Sequence, residues 1–130
     1  MTPQEIFETV ARHLFTQGRR SIRDREDGYG QICAYRAPDG CQCAVGCLIP
    51  DDKYLVSMEG KSVTRLKEYN LPAFFPTNFG LLGALQGVHD ELINWESSRA
   101  MRRALLGVAI FYDIKKVKFL DDLEFPTRPS

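Results

Sequence analysis

The chain has 130 residues, 44% of them hydrophobic and 26% charged, which are the proportions of one ordinary globular domain and exclude a disordered or fibrous chain. Seventeen basic and seventeen acidic side chains cancel, so no overall field draws the protein to nucleic acid or to anionic lipid, and neither is an expected partner. The longest apolar run, Ala104 to Tyr112, is about half of the ~20 residues that cross a bilayer, and the first fifteen residues carry glutamates where an export signal would carry positive charge. A cytoplasmic protein with reduced thiols is therefore expected.

The predicted elements begin at once. Thr2-Pro3-Gln4-Glu5 has the residues of a capping box with proline at the first helical position. Ile6, Phe7, Val10, Leu14 and Phe15 then recur at helical spacing, and Gly18 suits the left-handed residue that closes a helix. Arg19, Arg20, Arg23 and Arg25, interrupted by Asp24 and followed by Glu26 and Asp27, predict a mixed-charge surface loop. Gln31 to Arg36 reads as a strand, and Ala37-Pro38-Asp39-Gly40 as the turn of a β-hairpin.

Register decides what the cysteines can do. All four, Cys33, Cys41, Cys43 and Cys47, fall within fifteen residues. A three-residue loop with a bulge at Gly40 aligns Ala37 with Cys41 and Tyr35 with Cys43, which places three cysteines on one face. A two-residue loop separates them. A third arrangement starts a helix near Cys43, so that Cys43 and Cys47 share a helical face.

Farther along, a short helix is predicted over Ser62 to Tyr69, then a proline-bracketed apolar loop, Leu71 to Pro76, then a helix capped by Thr77 or Asn78. Leu81, Leu82, Leu85, Val88, Leu92 and Ile93 make its stripe broad enough for the centre of a core. Gly80, Gly83 and Gly87 lie on the same helix, where an interior glycine costs about 0.8–1 kcal/mol relative to alanine. Close approach of another backbone, internal to the fold, is the expected offset. Ser97 or Ser98 caps a last long helix whose buried side is read as Ala100, Met101, Ala104, Leu105, Val108 and Ile110 to Tyr112. Val117 and Phe119 alternate with lysines and suggest a third strand, and EFPTRPS suggests a loose tail. The fold class is thus α+β: one mainly helical domain, residues 1–124, with a β-hairpin or three short strands packed on four or five helices, and a loose tail at 125–130.

Candidate chemistry is sparse. A zinc site would have to use Cys33, Cys41, Cys43 and Cys47, but their gaps contain no CxxC pair, and small-side-chain packing accounts for them without a metal or any other cofactor. A thiol nucleophile needs a lowered pKa and a base. Cys43, if it begins a helix, is the candidate nucleophile, and His89 the candidate base, with Asp90 about 100° away around the helix and poorly placed to orient it. The alternative for His89 is a core-edge histidine bonded to a carbonyl or a carboxylate. His13 follows Arg12 on the expected solvent side and receives no role. Phe74 and Phe75, between prolines, are the candidate partner-binding residues.

The segment Cys43-Ala44-Val45-Gly46-Cys47-Leu48-Ile49-Pro50-Asp51, with Leu85-Gln86-x-x-His89-Asp90 and Trp95, resembles short uncharacterised bacterial and phage proteins that share a Cys-Ala-x-Gly-x-Leu core after a strand. The resemblance implies a small cytosolic, prophage-associated protein in which the Cys-Ala-x-Gly corner is a structural signature, and it carries over no activity. The leading expectation is an accessory protein that acts by binding another protein. The alternatives are a cysteine-dependent enzyme built on Cys43 and His89, and a small zinc-binding module.

Overall fold

The computed structural model describes residues 1–127. Among them the chain forms four α-helices, α1 (Pro3–Gln17), α2 (Phe74–Thr77), α3 (Phe79–Asp90) and α4 (Ser98–Phe111), and two strands, β1 (Ile22–Asp24) and β2 (Gln31–Cys33), with 3-10 turns between and after them. This is the mainly helical α+β domain that the sequence pattern predicts, with its hairpin in a different place.

α1 starts as its sequence dictates. Thr2 Oγ1 accepts the Glu5 amide at 3.1 Å, and Glu5 Oε1 accepts the Thr2 amide at 2.9 Å, so two of the amides that a helix leaves unpaired are satisfied. The helix ends at Gly18, whose φ of 72° is left-handed and whose amide bonds to the Leu14 carbonyl. Ile6, Phe7, Val10, Ala11, Leu14 and Phe15 point into the core, against Leu81, Leu82, Leu85 and Val88 of α3 and Met101, Leu105 and Ala109 of α4. Each large apolar side chain so buried contributes about 1.5–3 kcal/mol.

The charged stretch after α1 contains a strand. β1 pairs antiparallel with β2 in the register Ile22↔Cys33, Arg23↔Ile32, Asp24↔Gln31, and Gly28 and Gly30, both at positive φ, turn the chain between them. Two isoleucines among charges give too short an alternation to stand out from a surface loop. At Ala37–Gly40 the bulged register holds: Ala37 N–H donates to the Cys41 carbonyl at 2.9 Å, and Arg36 faces Gln42. That pairing stops after a single bridge, because the returning chain bends at Cys43 into a 3-10 turn, Gly46–Leu48.

Gly46 makes this corner possible. A Cβ there would lie 2.0 Å from the Tyr35 carbonyl oxygen, so no other residue lets the two segments cross so closely.

Four further expectations are corrected. Val117 and Phe119 do not form a third strand; Val117 precedes and Phe119 lies within a 3-10 turn, Lys118–Asp122, and both rest against the core. Gly83 and Gly87 face open space, with nothing within 4 Å of a Cβ built at either, so no internal backbone offsets their cost. Ile110 and Phe111 are exposed on the outer side of α4. The part of the expected loose tail that lies within the described residues is anchored, since Phe125 stacks on Trp95 with centroids 5.6 Å apart and its amide donates to Ser98 Oγ at 2.9 Å.

Candidate functional site

The four sulfurs disperse. Cys41 Sγ accepts from Arg19 Nε at 3.1 Å, Cys43 Sγ accepts the Gly46 amide at 3.3 Å, and the Cys47 thiol donates to the Ala44 carbonyl at 3.1 Å. Cys33 lies at the end of β2, beside Asp90. Among the described residues the cysteines form no common group of metal ligands, so a four-cysteine zinc site has no geometric basis in this fold.

Cys43 lacks the environment of a nucleophile. It is 1% exposed, and burial pushes its thiol above the ordinary range. The corner beside it is a three-residue 3-10 turn, too short to develop the dipole that lowers a thiol pKa. Burial likewise pushes Cys47 up to about 12, and burial with the Asp90 carboxylate pushes Cys33 up to about 12.

His89 is fully buried and both of its ring nitrogens are engaged. Nε2 accepts the Ser21 amide at 2.9 Å, and Nδ1 lies 2.8 Å from Asp90 Oδ1. An atom that accepts an amide proton cannot carry one itself, so the ring proton sits on Nδ1 and is donated to Asp90. Although about 100° per residue sets Asp90 away from His89 on an ideal helix, Asp90 is the orienting carboxylate, because α3 ends there and the chain turns extended at Glu91. Gln86 Nε2 donates to the same Oδ1 at 2.9 Å, and Gln86 Oε1 accepts the Val45 amide at 3.1 Å. Burial works against ionisation of Asp90, but bonds from His89, Cys33 and Gln86 outweigh it and hold the carboxyl below its ordinary range.

Cys33, His89 and Asp90 bring their ligand atoms within 4.8 Å of one another. The arrangement does not suit an ion. With the proton on Nδ1, the ring offers no lone pair toward Cys33 and Asp90, and moving that proton to Nε2 would set it against the Ser21 N–H. For the same reason His89 cannot act as base to Cys43 without breaking the bond to Ser21. The group instead joins β1, β2, the Cys-Ala-Val-Gly corner and the end of α3, which is the core-edge role for His89. His13 is half-buried rather than on the solvent side, and its Nε2 bonds to the Gln42 carbonyl at 2.7 Å.

Phe75 is buried in the core and Phe74 is half-buried beside it, with centroids 5.0 Å apart. α2 turns Phe75 inward, so the pair cannot serve as an open contact surface. The most exposed aliphatic and phenyl side chains are on α4, where Ile110 is 81% and Phe111 80% exposed and Leu106 is partly so, while Leu55, Val56, Leu92 and Ile93 are exposed singly or in pairs elsewhere. A signal for this was present in the helical wheel: at 100° per residue, Arg103, Gly107 and Ile110 fall about opposite Met101, Leu105 and Ala109. Next to Leu106 runs a groove of about 610 Å³ lined also by Glu8, Lys115, Lys116, Val117, Lys118, Phe119 and Asp121.

No protein family, curated protein or solved structure matches the chain.

Proposed function

We propose that this chain is a small cytoplasmic accessory protein that acts by binding another protein, and that the outer face of α4 is its contact surface. One observation carries the reading: Ile110 and Phe111 stand at 81% and 80% exposure on a helix whose inner face is already packed. Leaving two such side chains in water forgoes about 1.5–3 kcal/mol of burial each, which a docked partner would recover. Four free thiols agree with a reducing compartment. No helix among the described residues is long and apolar enough to cross a membrane.

The test is capture from lysate with wild-type protein, with Ile110→Ser/Phe111→Ser, and with Phe74→Ser. Partners lost with the α4 variant alone support this surface. An unchanged set of partners with a folded α4 variant would reject it.

A further inference from the structure

We infer that the surface formed by the outer face of α4 and the adjoining groove receives an acidic amphipathic helix of the partner protein. The inference rests on the reading of α4 as a contact surface and adds the chemistry of what binds there.

Shape comes first. Arg99, Arg103, Leu106 and Ile110 follow one another at intervals of four, three and four residues, the spacing at which one helix presents a seam to another. At 1.5 Å per residue the seam is about 16 Å long, three turns of a partner helix. Gly107 lies beside it with nothing within 4 Å of a Cβ position, so a second backbone can come near. From Leu106 the groove continues over Val117 and Phe119, which are partly buried and supply an apolar floor. The four-three-four spacing on α4, beside the open Gly107, fits a ligand that is itself a helix laid along the groove.

Charge then selects the partner. The chain is neutral overall, yet among the described residues Arg99, Arg103, Lys116 and Lys118 have no carboxylate within ion-pair distance. The acids close by are largely committed: Glu8 holds Arg12 at 2.9 Å, and Asp113 holds Lys115. Asp121 is the remaining acid of the groove lining. A helix with an apolar stripe flanked by glutamates or aspartates would meet both features. A second copy of this chain would bring the same unpaired cations to the interface in place of the acids that would neutralise them.

The experiment is selection of peptides from a displayed library of helical sequences with randomised surface positions, against wild-type protein, with Ile110→Ser/Phe111→Ser protein as the counter-target. The expected winners carry an apolar stripe and an excess of acids. Their affinity should fall at least about tenfold in the α4 variant and in Lys116→Glu/Lys118→Glu protein, and should weaken with added salt. Neutral or basic winners would overturn the acidic helix while leaving α4 as a contact surface. Absence of α4-dependent winners would overturn the groove itself. Two controls use the protein alone: co-sedimentation with phosphatidylserine vesicles, or a dimer in sedimentation velocity that is lost in the α4 variant, would reassign the face to a membrane or to a second copy.

Discussion

The Ser21 amide and the Nε2 atom of His89 lie 2.9 Å apart in a site closed to solvent. This contact fixes the ring tautomer and ties the start of the hairpin to the end of α3. His89→Ala would leave the Ser21 N–H without a partner and open a cavity, a loss of about 2–4 kcal/mol in urea unfolding. In the intact protein, long-range proton–nitrogen correlation should find the His89 proton on Nδ1. A proton on Nε2 would contradict the network and reopen the ring as a ligand or base.

Glycines at two places should respond in opposite directions. Gly46→Ala drives a Cβ to 2.0 Å from the Tyr35 carbonyl oxygen, and its relief requires the two crossing segments to separate. A destabilisation of at least about 3 kcal/mol, or failure to fold, is expected. Gly83→Ala and Gly87→Ala place a methyl in open space on a helix and should each raise stability by about 0.5–1 kcal/mol. Melting temperatures of the three variants decide the matter. If Gly83→Ala and Gly87→Ala destabilised the monomer, the open face of α3 would be wrongly described.

Local signals carried most of the helices into the sequence reading. The capping box of α1, the Ser97 cap of α4, whose Oγ accepts the Ala100 amide at 3.0 Å, and the stripe of α3 from Leu81 to Val88 are each written within a few neighbouring residues. Leu92 and Ile93, expected to continue that stripe, instead lie past the end of α3 in a 3-10 turn and are exposed. What stayed hidden depends on contacts distant in sequence. Nothing near Ser21 announces that its amide will meet His89, and nothing near Cys33 announces Asp90. The α4 face departs from its reading for a different reason. Ile110 is apolar but turned away from Met101, Leu105 and Ala109, and Phe111, though close to half-buried Ala104 around the axis, is the last residue of the helix and is left largely uncovered. The hairpin turn at Gly40 was legible in its register because proline and glycine fix the bulge, whereas its length was set by the corner at Gly46.

The thiols should make the protein sensitive to alkali. Burial raises Cys43, and Cys33 and Cys47 are pushed up to about 12 from an ordinary value near 9.0. The unfolded chain would release these protons first, so the folded state binds more protons between about pH 9 and pH 12 and loses stability as pH rises through that window. Urea midpoints should therefore decline over that range, and less steeply after Cys43→Ala, compared with the variant's own midpoint near neutrality. Alkylation of native protein near pH 8 should be slow at Cys43 and fast once urea is added. Rapid labelling of Cys43 in folded protein would restore it as a candidate nucleophile.

Phe125 offers the last test, of whether the C-terminal segment belongs to the domain. Its ring stacks on Trp95 at 5.6 Å and lies 5.1 Å from Phe15, and Pro126 fills the space that a side chain at position 18 would take. Trp95 is the single tryptophan, so the fluorescence reports on its surroundings, which are Phe125 on one side and the His89 ring and carbonyl on another. Phe125→Ala should shift its emission to longer wavelength and cost about 1–3 kcal/mol in urea unfolding. Gly18→Ala should produce the same red shift by displacing Pro126, in addition to the strain of a left-handed residue with a side chain. Emission and urea midpoint both unchanged in Phe125→Ala would mean that the segment contributes nothing and that the domain ends at Glu124, whereas a shift in both makes Phe125 part of the core that closes over α1 and α4.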